Sequence, residues 1–279
     1  GCVRKCSALT NITIPSTVTT LGDVCFEEDP GLTSVTFATF TSGENVGKTS
    51  ITSLGKMCFK NCSSLTNISI PSTVTSLGDE CFYSCSSLVG IDNIGTESVP
   101  VIGLKIPNSV TSTGYSCFND CSSLEKVSLS TNDMWNKLPD NFFKSCSSLY
   151  DITTPDNITI VGSNVFEFCS NLTYVYGCKN VELLGYRTSS DAWSVFNGCT
   201  NLISVEGLSE VVYISKGCFN GCINLTTLSL DWSKLELIGD VAFQDCSSLF
   251  VPIESDVRTV HLKSNCELGE TPFKGSGIS

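Results

Sequence analysis

The chain is 279 residues long and carries 28 acidic against 16 basic residues, a formal charge of −12. A surface that neutralises phosphates needs the opposite sign, so nucleic acid is excluded as a partner class. Charged residues make up only 16% of the chain, and Ser, Thr, Asn and Gly crowd the spaces between isolated aliphatic positions. That argues for frequent turns and against a helical bundle, and no run approaches the roughly eighteen apolar residues of a membrane-spanning helix.

Taken in chain order, the sequence repeats one signal: a Phe, a Cys three residues later and a Leu three further on. Degenerate copies come first, at Cys6 with Leu9, where Val3 takes the Phe place, and at Phe26 with Leu32. Complete copies follow at Phe59, Phe82, Phe118, Phe143, Phe166, Phe196, Phe219 and Phe243, and Phe273 anchors a last partial one. From Phe26 onward the anchors are 33, 23, 36, 25, 23, 30, 23, 24 and 30 residues apart, so 23 is the basic unit and the longer units carry insertions.

Within a unit, Leu65-x-x-Ile68-x-Ile70-Pro71 predicts a short strand whose last two aliphatics share one face, ended by Pro. Val74-x-x-Leu77-Gly78 follows, the Gly predicting a sharp turn before the next Phe. One unit thus makes one turn of a coil. Its apolar side chains have nothing inside the turn to meet, so they must pack on the neighbouring turns. Composition does not shift along the chain as a linker would require, which predicts one array over 1–279 with insertions near 38–50, 92–104, 178–192 and 251–268.

The string from Leu65 to Leu88, LTNISIPSTVTSLGDECFYSCSSL, resembles the BspA-like, or treponemal-type, leucine-rich repeat, whose pattern is an L-x-x-I-x-I-P strand, a V-x-x-I-G segment and an A-F-x-x-C turn. The resemblance covers nearly the whole chain; here Cys often stands where Ala is usual before the Phe. It implies a leucine-rich-repeat solenoid of ten to eleven turns. A parallel β-sheet would line the concave face, with turns and short helical or 3-10 segments on the convex side. PFKGSGIS, from Pro272 to Ser279, looks like the variant in which Gly-Ser-Gly replaces the Cys turn, so the array is expected to continue in a longer parent, and the first turn also begins mid-unit.

Of the 17 cysteines, nine lie three after the Phe position and six just before it, with only Cys178 and Cys266 outside the repeat. Other units place Phe142, Val165, Val195, Ala242 or Pro272 before the Phe, so the position asks for a small or apolar buried group. The expectation is a ladder of reduced core thiols. Disulfides inside or between turns are the alternative, since adjacent turns bring like positions within bridging distance. Zinc is disfavoured, because the chain has one His, His261, and C-x-x-x-C is not a usual zinc spacing. No metal or cofactor is expected.

That single imidazole, in an irregular stretch, offers no Ser-His-Asp or Cys-His arrangement. Glu27-Glu28 and the other carboxylate pairs read as solvated turns, and Gly22, Gly55, Gly78, Gly114 and Gly162 as turn glycines rather than a phosphate cradle. The chain is therefore expected to be no enzyme. Six N-x-S/T sequons, at Asn11, Asn61, Asn67, Asn157, Asn171 and Asn224, partly follow from the repeat itself.

Strand side chains facing away from the core are the expected docking surface. They are the two residues after each Leu and the one between the paired aliphatics: Thr66, Asn67 and Ser69, then Val89, Gly90 and Asp92, and so on. The later units contribute Glu125, then Tyr150 and Asp151, then Tyr174 and Tyr176, then Glu206. These six form an aromatic and acidic candidate site of the composition that dominates interface hot spots. The competing reading is that outward Tyr residues serve strand pairing alone. Trp193, in the third insertion, is a further candidate anchor. The family resemblance implies a surface or secreted adhesion protein that contacts host or matrix proteins. An intracellular scaffold is the alternative, favoured by the many thiols.

Overall fold

A computed structural model describes residues 3–96, 99–185, 194–249 and 262–278. Cys2, Trp193 and His261, with the inner parts of the last two insertions, lie outside them. The chain divides into two units, Gly1–Trp135 and Asn136–Ser279, both built from short parallel strands. No helix among the described residues is long and apolar enough to cross a membrane.

The first unit stacks Asn11–Ile14, Ser34–Phe37 and Asn67–Ile68 in one parallel sheet, in register Ile12, Val35, Ile68. A second parallel sheet joins Thr20–Leu21, Ser53–Leu54, Ser76–Leu77 and Ser112–Thr113. The second unit repeats the plan. Asp151–Thr153, Tyr174–Tyr176, Ser204–Val205 and Thr227–Leu228 form a four-stranded sheet. Lys137–Leu138, Ile160–Val161, Leu183–Leu184, Tyr213–Ile214, Leu237–Ile238 and Glu267–Leu268 form a six-stranded one. Each Val-x-x-Leu-Gly segment thus makes a second strand ladder. The helical content among the described residues is two 3-10 turns, Leu208–Glu210 and Trp232–Lys234.

The phenylalanines form columns inside each unit. Phe26, Phe59, Phe82 and Phe118 stack with ring centroids 5.3, 5.3 and 5.2 Å apart. Phe143, Phe166, Phe196, Phe219, Phe243 and Phe273 do so at 5.9, 5.3, 5.2, 5.3 and 5.5 Å. Near-parallel rings at this distance fall in the offset-stacked range. The Phe backbone is laddered too: the Phe59 amide donates to the Cys81 carbonyl at 2.8 Å and the Phe82 amide to Cys117 at 2.8 Å.

Beside each column runs a column of thiols. Cys62, Cys85 and Cys121 donate to the carbonyls of Phe26, Phe59 and Phe82 at 3.0, 3.1 and 3.2 Å. Cys169, Cys199, Cys222 and Cys246 repeat this on Phe143, Phe166, Phe196 and Phe219. A buried carbonyl that would otherwise keep a lone pair unused is thereby satisfied by a group small enough for the space. No disulfide joins the sixteen described cysteines to one another, and thirteen of them are buried. Burial pushes the thiols up, Cys62 and Cys246 to about 12 and Cys178 to about 11. Asp29 stands three residues after Phe26, at the Cys position of its turn. It is fully buried, accepts from the Cys6 amide at 2.5 Å, and is raised by desolvation.

Two expectations are corrected. Gly55, Gly78, Gly114 and Gly162, which close such segments, do not have left-handed backbone; the turns approach so closely there that a side chain has no room. A Cβ on Gly78 would sit 2.4 Å from the Lys56 nitrogen, and one on Gly114 would sit 2.2 Å from the Asp79 nitrogen. The left-handed positions lie instead two residues before and two after the Phe. Val24, Met57, Asn61, Glu80, Ser84, Phe168, Val241 and Asp245 are among their occupants.

The second correction concerns the turn after Leu88. Gly90 is buried and Ile91 is 50% exposed, the reverse of the expected alternation. Asp92–Asn93 pairs antiparallel with Ile102–Lys105, and Leu104 aligns with Val127. Leu104-x-Ile106-Pro107 is therefore the true strand of this turn, both aliphatics buried, and Leu104 belongs to the repeat, not to the insertion. Ile91 lost the core because the chain supplies a better-placed Leu thirteen residues later.

Candidate functional site

Alternation along each strand sends Ile152, Val175 and Val205 into the core of the second unit, each at most 1% exposed. Their neighbours then project from the outer face of the four-stranded sheet. Asp151 aligns with Tyr174 and Ser204, and Thr153 with Tyr176. Glu206 follows Val205, and its amide donates to the Val175 carbonyl at 2.9 Å, which puts it on the strand next to Tyr176.

Tyr174 and Tyr176 are two apart and so share that face. Their rings stack at 5.7 Å with an interplanar angle of 17°, and each residue remains 36% exposed. Asp151 lies on the strand to one side of the pair and Glu206 on the strand to the other, diagonally across it. The Tyr176 phenol is held above its ordinary value by desolvation first, then by Tyr174, Asp151 and Glu206. Half-buried Tyr150 precedes Asp151 and lends its carbonyl to the Thr173 amide at 2.7 Å.

Of the six residues expected to form the site, five are thus on one sheet of the second unit. Glu125 is exposed ahead of the strand Val127–Ser128 of the first unit, and the site is built without it. The second unit also holds an open groove of about 440 Å³ lined by Thr173, Asn201, Ile203, Asn224, Thr226 and Ser248; Thr173, Ile203 and Thr226 fall on the outward positions expected for docking, while Asn201, Asn224 and Ser248 do not. It runs along residues that immediately precede three of the four strands. Its signal was present in the sequence: Thr173, Ile203 and Thr226 each follow a Leu anchor directly.

The first unit offers a different outer face. Asn11 accepts from Ser34 Oγ at 2.6 Å and from Thr33 Oγ1 at 3.1 Å, and Ser69 donates to Asp92 at 2.6 Å. These polar groups are engaged with one another, and among the described residues the outward strand positions Asn11, Thr13, Ser34, Thr36 and Asn67 hold no aromatic ring. Among the described residues no group of three or more His, Cys, Asp or Glu is placed to hold a metal.

A family profile described as the BspA type leucine rich repeat region, in six copies, matches residues 1–95, 95–192 and 190–265. The architecture of stacked short strands defines a leucine-rich repeat protein, and the chain belongs to the BspA-type family of them. Among solved structures, a leucine-rich repeat protein from Bacteroides ovatus is similar over 97% of this chain and 77% of its own, at 22% identity and a TM-score of 0.55. One from Eubacterium ventriosum is similar over 99% and 79%, at 23% identity and a TM-score of 0.56. Both show the fold. No curated protein matches the chain.

Proposed function

We propose that the chain is a non-enzymatic binding module that docks a protein partner on the outer face of the four-stranded sheet of its second unit, and that its parent is a surface or secreted adhesion protein in contact with host or matrix proteins. The observation that carries this is the exposed, stacked pair Tyr174 and Tyr176, standing on a sheet whose opposite side is fully packed. Tyr presents a rigid amphipathic surface that loses little entropy on binding. If the pair served strand pairing alone, alanine in its place would cost stability and leave binding intact.

The test is capture of surface and matrix proteins by the full chain, compared with Tyr174→Ala and Tyr176→Ala. Loss of capture at unchanged melting temperature supports the reading; loss of stability with capture retained defeats it.

A second reading, an intracellular scaffold, is favoured by the sixteen described cysteines that form no disulfide with one another, since reduced cysteines persist best in the cytosol. Counting free thiols on protein taken from its native source separates the two.

A further inference from the structure

The charges around the tyrosine pair are out of balance. In the second unit Asp140, Asp156, Glu167, Glu210, Glu236 and Asp240 each have a lysine within 3.9 Å. Asp151 and Glu206, on the sheet face, are in no ion pair among the described residues. The four strands of that sheet and the residues just before and after them contain no Lys or Arg. Among the described residues these two carboxylates are therefore open to a positive charge brought by another molecule.

The geometry narrows what that charge is. Two tyrosine rings present π faces, which attract a cation placed over them within about 6 Å. The carboxylates stand on the neighbouring strands at opposite corners of the pair. A guanidinium suits this arrangement better than an ammonium, because it is flat enough to lie on a ring while its in-plane N–H groups reach sideways to a carboxylate. An ammonium satisfies one or the other well.

We propose that the outer face of this sheet binds an arginine side chain carried on a basic segment of a protein partner, with the guanidinium lying on the open ring face of the Tyr174–Tyr176 stack and Asp151 and Glu206 pairing with its edge. The proposal rests on the docking reading above and adds the chemistry of the partner. A neutral carbohydrate stacking on the same rings would not need the carboxylates, and an acidic segment would be repelled by them.

The experiment uses the full chain and fluorescein-labelled Gly/Ser peptides carrying two arginines, or lysine, citrulline or glutamate at the same places. Arginine is expected to bind, lysine several-fold more weakly, citrulline about tenfold more weakly and glutamate not at all. Asp151→Asn and Glu206→Gln should each weaken the arginine peptide by about three- to tenfold and flatten its salt dependence. Tyr176→Ala should erase the preference for arginine over lysine. Far-UV spectra and melting temperatures of the variants establish that they fold.

Equal binding of the arginine and citrulline peptides overturns the proposal. So does indifference to both carboxylate variants, or no binding of the arginine peptide up to millimolar concentration. If whole-protein capture still depends on Tyr174 and Tyr176 in those cases, docking stands and only the arginine specificity falls. If capture is also indifferent to them, both fall.

Discussion

The two units have interiors of the same kind and differ in what they show to solvent. In both, Phe rings stack 5.2–5.9 Å apart and thiols cap the Phe carbonyls of the turn before. Outside, the first unit ties Asn11, Thr33 and Ser34 to one another and breaks its ladder of core strands with the hairpin of Asp92–Asn93 and Ile102–Lys105. The second runs its four strands without interruption and, among the described residues, leaves Asp151 and Glu206 in no ion pair beside two exposed tyrosines. The repeat constrains the inward positions because each must fit the next turn, and leaves the outward ones free to vary. Function in such an array is written where stacking makes no demand.

The sharpest way to break this comparison is in the interior it assumes to be equal. Phe82→Ala in the first unit and Phe219→Ala in the second, both fully buried, should each cost about 3–5 kcal/mol. Denaturant unfolding measures both, and a twofold disparity between them would mean that the cores are not equivalent.

Alkali should weaken both units. The buried thiols have folded values raised from 9.0 to about 12 at Cys62 and Cys246 and to about 11 at Cys178. The folded state therefore holds protons that the unfolded state releases. Stability is whole below about pH 9 and drains away as pH rises through 11 to 12. Melting temperature followed from pH 8 to pH 12 reads this directly, and a flat profile would contradict the burial of the thiols. Asp29, also raised by burial, adds a loss at lower pH, with the same sign, that is confined to the first unit. Asp29→Asn should remove it.

Stacking distance sets the next effect. Gly78→Ala places a methyl group 2.4 Å from the Lys56 nitrogen and should cost about 1–3 kcal/mol, whereas Gly22→Ala meets nothing within 4 Å and should be neutral. Equal melting temperatures for the two variants would return these glycines to the role of simple turns. The smallest effect is a gain. Val241 is β-branched and has φ 50°, so Val241→Gly should relieve backbone strain by about 1 kcal/mol, seen as a higher denaturant midpoint.

The fold was legible because Phe, Cys and Leu recur at fixed offsets, and such offsets survive only where each turn contacts its copy. The second strand ladder was not. Ser76–Leu77 and its counterparts have two residues each, too few to display an alternation. The hairpin after Leu88 was hidden because Val89-Gly90-Ile91-Asp92 imitates the strand pattern, while the real strand, Leu104-Lys105-Ile106-Pro107, stood inside what looked like an insertion. The left-handed positions were invisible because Val24, Met57, Glu80 and Phe168 are not residues that such backbone prefers; tight packing of the turns overrides local preference.

The candidate site was half legible. Alternation placed Tyr174 and Tyr176 outward, and register added Asp151 and Glu206. Which carboxylates find a lysine depends on side chains from separate turns, for instance Glu210 with Lys234, and no spacing rule announces that.

The thiol that each turn extends to its predecessor has a bearing on how such chains change length. Every turn of this kind offers a carbonyl on one side and a sulfhydryl on the other, always at the same offset from its Phe. A duplicated turn copied into the middle of a unit finds both complements waiting, and a deleted one leaves two matching ends to close. Growth and loss by whole repeats therefore need no compensating mutation at the seam, which makes length one of the easiest properties of this molecule to vary by recombination.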